Sequence, residues 1–271
     1  MKRSVFFVSD GTGITAENLG QSLLTQFDQI LFEKKSFPYV NSIEKAKLVV
    51  AAIVECHNTD QQKPLVFSTL VNEEIHDFIA NSPCLLLDFF KAFINPLENE
   101  LQIKSSHKIG KRYGVSSTQN YTQRIDAVNY AIMNDDGMNI DHFDEADFIL
   151  IGVSRCGKTP TCLYSALQFG MYAANYPLTA EDVDKHYLPK CLQSYKNKLF
   201  GLIIDPHRLS QIRAERKPNS HYASLNQCQR ELNLVSKLFK QENISYIDTT
   251  TRSIEEIATE ILSVTGLKKR V

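Results

Sequence analysis

"DFILIGVSRCGKTPT", residues Asp147 to Thr161, decides how the chain is read. The run "FILIGV" (148–153) is apolar enough for a buried strand, and "TCLYSALQFG" (161–170) carries a helical apolar period. Between them Gly152, Val153, Ser154, Arg155, Cys156, Gly157, Lys158 and Thr159 match G-x-x-x-x-G-K-[ST] at every fixed position. Glycines let the backbone curl so that several N–H groups converge on one anion. The following helix adds its N-terminal dipole. In such a loop Lys158 reaches terminal phosphates and the Thr159 hydroxyl is suited to ligate Mg²⁺. An ordinary strand-to-helix turn could carry the same letters by chance. The strand before and the helix after supply the context that a phosphate grip requires.

A phosphate loop calls for a second magnesium partner, often an aspartate ending a neighbouring apolar strand. "KLFGLIIDP" (198–206) offers Asp205, and Asp248 in "ISYID" is the rival. Arg208, Arg213 and Arg216 follow Asp205, and one of them is expected to clamp a phosphoryl group. Pro160 suits a first helical turn but removes one N–H from the end that faces the anion. Cys156, close to a helix start, is a candidate for a somewhat acidic thiol, with a plain loop residue as the commoner alternative.

Away from the loop the chain alternates strand and helix, the pattern of α/β layers. Val5–Val8 reads as a buried strand that turns at Asp10-Gly11-Thr12-Gly13. Thr15 would cap a helix with Leu19, Leu23, Leu24 and Phe27 on one face. "PLVFSTLV" (64–71) is a second strand, "NEEIHDFIA" a helix, and "CLLLDFFKAFINPL" a buried apolar segment. Residues 104–120, basic and serine-rich, read as a surface connection. "YTQRIDAVNYAIMNDDG" (121–137) reads as a helix with Tyr121, Ile125, Val128 and Ile132 sharing a face and Gly137 at its far end. Beyond the loop come a strand at "YAANYP", the strand ending at Asp205, a long amphipathic helix, the strand "ISYIDTT", and a last helix opened by a Ser253–Glu256 capping box. The expected architecture is an N-terminal α/β domain (1–143) and a C-terminal P-loop kinase-like domain (144–271) with a mainly parallel sheet. The basic stretch before residue 121 is the rival boundary.

Composition narrows the function. Lysine plus arginine (30) nearly balances aspartate plus glutamate (31), so no global field draws the 271-residue chain to nucleic acid or to an anionic membrane. No apolar run is long enough for a signal-peptide core or a membrane span, which predicts a cytoplasmic protein. The six cysteines show no C-x-x-C pair and no zinc-finger spacing, so thiols rather than metal ligands are expected. The N-K-x-D signature of GTPases is absent, since "NKLF" (197–200) lacks the aspartate. The glycine-rich loop, V-A-I-K and H-R-D marks of ordinary protein kinases are absent too. Five residues separate Cys156 from Cys162, where a cysteine phosphatase would need arginine. A small-molecule kinase, an unusual protein kinase and a nucleotide-switched binding module remain.

The chain resembles the phosphoenolpyruvate synthase regulatory proteins, relatives of the pyruvate, phosphate dikinase regulatory proteins. The resemblance spans "VFFVSDGTGITAE" (5–17), "PLVF" (64–67), "YTQRIDAVNYAIMNDDG" (121–137), "ILIGVSRCGKTPT" (149–161), "AANYPL" (173–178), "KLFGLIIDPHRLSQIRAER" (198–216), "YASLNQC" (222–228) and "SIEEIATEIL" (253–262). It implies a bifunctional transferase: a serine/threonine-protein kinase that uses ADP to phosphorylate a threonine of its target, and a pyrophosphorylase that removes it with inorganic phosphate. It further implies nucleotide binding by Gly152 through Thr159, catalysis by Lys158 and Asp205, and Mg²⁺ on Thr159 and Asp205. Asp10, Asp135 and Asp136 would help bind the protein substrate or a second phosphate, or else only shape a turn and a helix end. The wording "SRCGKTPT" and "AANYPL" sits nearer the synthase branch, which makes phosphoenolpyruvate synthase the expected partner and the dikinase the alternative. A homodimer is compatible with the resemblance. His221 stands where arginine is expected, a weaker and pH-dependent phosphate contact if it makes one.

Overall fold

The computed structural model describes residues 2–106, 118–184 and 187–271. These fall into two compact units, Met1–Lys111 and Arg112–Val271. In the first, β1 (Lys2–Ser9), α1 (Ile14–Leu24), β2 (Leu31–Phe37), α2 (Ile43–Asp60), β3 (Leu65–Thr69), α3 (Glu73–Ala80), β4 (Leu85–Asp88) and α4 (Phe89–Leu101) alternate strictly. The four strands are all parallel in the order β2-β1-β3-β4. Apolar residues fill both faces, as a parallel sheet covered by helices requires. Phe6, Val8 and Val66 pack with Val49 and Ile53 of α2 and with Ile75 and Ile79 of α3. Val5, Phe7 and Phe67 pack with Ala16 and Leu24 of α1 and with Phe89.

The second unit opens with α5 (Thr118–Met133) and 3₁₀ turns at Asp135–Gly137 and Ile140–His142. Then come β5 (Phe148–Gly152), α6 (Lys158–Phe169), β6 (Ala173–Pro177), the short α7 (Ala180–Asp184) and α8 (Lys190–Gln193), and β7 (Leu199–Ile203). α9 (Pro206–Arg216), α10 (Leu225–Gln241), β8 (Tyr246–Asp248) and α11 (Ile254–Thr265) complete it. These strands are also all parallel, ordered β6-β5-β7-β8. The α/β class and the parallel C-terminal sheet are as expected, and the Ser253–Glu256 capping box forms.

Several expectations shift. Ala127, Tyr130, Ala131 and Phe143 belong to the core of the second sheet, so residues 118–143 group with that unit and not with the first. The buried face of α5 is that alanine-tyrosine row; Tyr121, Ile125 and Ile132 are exposed. In α1 the buried residues are Ala16, Gly20 and Leu24, while Leu19 and Leu23, and Phe27 beyond the helix end, are exposed. Gly13, not Thr15, stands at the N-cap of α1. "CLLLDFFKAFINPL" divides into β4 and α4, and of α4 only Phe89 is buried. Most of the basic stretch 104–120 lies outside the described residues.

Candidate functional site

β5 runs between β6 and β7, with Ile151 opposite Tyr176 on one side and Gly201 on the other. A Cβ on Gly152 would sit 2.5 Å from the Leu202 carbonyl oxygen, so only glycine lets the strand leave the sheet here. The chain then curls through Arg155 at φ 75° and Gly157 at φ 95°, and α6 begins. Gly157 is the N-cap and no side chain caps the first turn, which leaves the N–H groups there directed out of the helix end. Lys158 is 5% exposed, and its Nζ donates to the Gly152 and Val153 carbonyls at 3.1 and 3.0 Å. The ammonium is thereby held across the mouth of the curl, at the helix end that already favours anions.

Thr159 brings an acid to the loop. Its Oγ1 donates to Asp135 Oδ1 at 2.8 Å. Asn175, fully buried on β6, donates to the same oxygen at 2.5 Å. The Asn175 Oδ1 accepts the Asp136 N–H at 3.2 Å. A hydroxyl and a carboxylate are hard oxygen donors, the chemistry that Mg²⁺ takes alongside phosphate oxygens. Among the described residues no group of three or more His, Cys, Asp or Glu forms a metal cage. The Thr159 hydroxyl beside the Asp135 carboxylate is a donor set that fits a cation shared with phosphate.

The back of the loop is braced. Arg213 on α9 is 1% exposed and donates from Nε and Nη2 to the Ser154 carbonyl at 3.4 and 3.2 Å. Nη2 also meets Glu231 Oε2 at 2.7 Å, and Nη1 donates to the Tyr222 carbonyl at 3.1 Å. Burial opposes the charge on Arg213, but the hydrogen bond and charge of Glu231 outweigh it and hold the guanidinium above its usual pKa. The ring of Tyr222 lies under the guanidinium at 4.2 Å, and its hydroxyl is 2.9 Å from Ser154 Oγ. On the other side Thr249 Oγ1 donates to the Cys156 carbonyl at 3.2 Å.

The predicted residues are thus sorted by role. Arg213 is a strut for the loop backbone, while Arg208 and Arg216 are exposed. Burial pushes the Cys156 thiol up, more than Lys158 pulls it down, so the acidic alternative does not hold. Asp205 lies just beyond β7 as the N-cap of α9, with Oδ1 accepting the His207 and Arg208 N–H groups at 2.9 and 3.0 Å. Asp248 Oδ1 accepts from the N–H and the hydroxyl of Thr250. Asp136 is exposed at φ 49°. Asp10 belongs to the first unit, buried at the end of β1, where Oδ2 accepts the Val71 N–H at 2.7 Å. His221 is exposed, and its carbonyl accepts from Ser224 Oγ at 2.8 Å. Sequence reading missed the Arg213–Glu231 brace and Asn175. Nothing in "AANYPL" (173–178) marks the Asn175 amide as the group that holds the Asp135 turn.

A central parallel strand ending in a glycine curl, a lysine at the helix start and a threonine tied to an acid stand together in an α/β protein. Residues 5–262 match the model of the kinase/pyrophosphorylase family. A 271-residue relative stretch from Stutzerimonas stutzeri strain A1501 is 53% identical and covers 100% of both chains. One from Pseudomonas aeruginosa strain LESB58 is 53% identical over 100% of this chain and 98% of its own. One from Legionella pneumophila strain Corby is 52% identical over the full length of both. All three carry the provisional name phosphoenolpyruvate synthase regulatory protein. The chain belongs to the kinase/pyrophosphorylase family, and is an enzyme of the phosphotransferase type. Among the described residues no helix is long and apolar enough to cross a membrane.

Proposed function

We infer that this enzyme transfers the β-phosphoryl group of ADP to a threonine of phosphoenolpyruvate synthase, and removes it with inorganic phosphate. The observation that carries the reading is the Gly152–Thr159 curl, with Lys158 buried across it and Thr159 tied to Asp135. The names of the full-length relatives support the choice of target.

In the forward direction the threonine oxygen bonds to the β-phosphorus, the bond to the bridging oxygen breaks, and AMP leaves. The threonine proton passes to a carboxylate, for which Asp205 at the end of β7 is the candidate. Main-chain N–H groups at the start of α6 and the Lys158 ammonium neutralise charge on the moving group. A bound Mg²⁺, with the Thr159 hydroxyl as a protein contact, would add charge neutralisation. In the reverse direction inorganic phosphate occupies the seat of the β-phosphate and attacks the phosphothreonine. The phosphorus–threonine bond breaks, giving pyrophosphate and a restored hydroxyl. One cradle can serve both directions, because each asks it to hold phosphate and a phosphoryl group in line.

The test mixes the enzyme with phosphoenolpyruvate synthase and β-labelled ADP. Label should appear on a synthase threonine, and added phosphate should release it as labelled pyrophosphate. Label that stays off the synthase, or that moves to a small metabolite without any protein acceptor, would refute the reading.

A further inference from the structure

The geometry points to Asp135 as the positioning residue for a divalent cation at the phosphate loop, acting through the Thr159 hydroxyl. This rests on the reading that the loop holds a diphosphate, and it assigns the acid that accompanies the cation. Thr159 gives its one hydroxyl proton to Asp135 Oδ1, so the hydroxyl lone pairs point elsewhere and are left to ligate. Asp135 is itself fixed. Asn175 is 0% exposed, donates one amide hydrogen to Asp135 Oδ1 and takes the Asp136 N–H on its oxygen. One buried amide thereby holds two successive residues of a turn whose Asp136 lies in the left-handed region at φ 49°. Metal-binding residues are commonly oriented in this way by a partner that never touches the ion.

Asp205, which the strand-end pattern favours, is engaged differently. Its Oδ1 accepts two N–H groups of α9, and its own N–H donates to Thr250 Oγ1 at 2.8 Å. It is built into the start of a helix, while Asp135 reaches the loop threonine from a turn upstream of β5. Asp205 is thereby left to the acid–base role, and Asp135 takes the cation role.

The charge of Asp135 gives the proposal a distinctive signature. A carboxylate beside the diphosphate repels it when no cation is present and favours it when one is. Asp135→Asn keeps the shape and an acceptor for Thr159 but removes the charge. ADP titrations with Mg²⁺ and with EDTA should show Mg²⁺·ADP affinity falling about 10- to 100-fold. Affinity for ADP in EDTA should hold or rise. Electron paramagnetic resonance of Mn²⁺ with ADP follows the cation itself and should show the same loss. Thr159→Val should remove the Mg²⁺ gain as well. Adding Asp135→Asn to it should cost little more, because both act through one hydroxyl. Thr159→Ser should restore the gain.

A parallel loss with and without Mg²⁺ in Asp135→Asn would mark a merely structural role and overturn the proposal. So would an unchanged Mg²⁺ gain in Asp135→Asn or Thr159→Val, or a gain lost only in Asp205→Asn. Wild-type protein that binds ADP but gives one of those results refutes this assignment alone. Wild-type protein that binds no ADP refutes the diphosphate reading and this assignment with it.

Discussion

At the end of β1 the chain turns through Asp10–Gly13 into α1, and at the end of β5 it turns through Val153–Gly157 into α6. Both strands sit inside four-stranded parallel sheets, between a following strand and a later one. Both helices start from a left-handed glycine with no side-chain cap, Gly13 at φ 80° and Gly157 at φ 95°. The charges differ. The first turn buries the Asp10 carboxylate and has Glu17 in the first turn of its helix. The second has Lys158 buried at the helix start and no acid in that helix turn. Strand, curl and left-handed glycine recur at both turns, and the charge beside the helix start is what separates them. A buried acid precedes one helix and a buried lysine begins the other, so the positive end of the helix dipole stands near opposite charges at the two turns.

Removing the lysine should break the contrast most completely. Lys158→Ala leaves the Arg213 brace in place but deletes the ammonium and its two hydrogen bonds to the curl. Loss of a preorganised charge aimed at a developing anion costs about a hundred- to a thousandfold in rate. Phosphoryl transfer to the synthase should fall by at least that factor, with the circular dichroism spectrum unchanged. A variant that still transfers phosphate at the wild-type rate would mean the loop is not the seat of the reaction.

The glycines should separate the two turns by stability. At Gly152 an added Cβ meets a backbone oxygen of β7 at 2.5 Å, which cannot swing aside. At Gly13 it meets only the Pro38 Cβ at 3.9 Å, so the cost is the left-handed backbone. Gly152→Ala should cost about 3 kcal/mol from overpacking and Gly13→Ala about 1 kcal/mol from the strained φ. Urea unfolding of both variants checks the order, and equal losses would show that the β5–β7 approach relaxes freely.

Pro160 sharpens the comparison on the phosphate side alone. It occupies the third position of α6, where a residue with an N–H would add one donor near the helix end. Thr161 N–H already bonds the Gly157 carbonyl at 3.2 Å, so the position of Pro160 is where an extra donor could come. Pro160→Ala should tighten ADP binding by about fivefold, the worth of one ordinary hydrogen bond. No change in a direct titration would mean that the proline only starts the helix.

How far this could be foreseen depends on whether the information is local. The β5 curl and the helix after it were legible, because the glycine spacing, the apolar strand and the lysine lie within a dozen residues. β2 and α2 escaped notice: β2 is an edge strand with mostly exposed, charged residues, so it lacks an apolar alternation. The helix faces misled for another reason. Leucine and isoleucine mark the apolar positions of α1 and α5, yet small residues turn inward, with Gly20 over Phe7 and Phe67. Aromatic side chains on the first sheet already fill that space, so α1 comes close over them at Ala16 and Gly20. The site divides in the same way. Asp205 is visible as a strand-end acid, but nothing local links Asp135 to Thr159, 24 positions later, because that pairing exists only once β5 and β6 are side by side.

The smallest effect tests the first turn. Burial pushes the Asp10 carboxyl above the usual carboxylate range, and the N–H of Val71 and of its own backbone only partly offset this. A carboxyl whose pKa is raised on folding favours the folded state when protonated and weighs against it when ionised. Its penalty is absent below the unfolded pKa, grows as pH rises through the carboxylate range, and is complete above the raised value. Asp10→Asn retains an acceptor for Val71 and carries no charge, so it should melt higher than the wild type at pH 7. The gap should close as the pH falls through the carboxylate range. A variant that melts lower at pH 7 would mean that the N–H groups around Asp10, that of Val71 among them, favour the carboxylate more than burial penalises it.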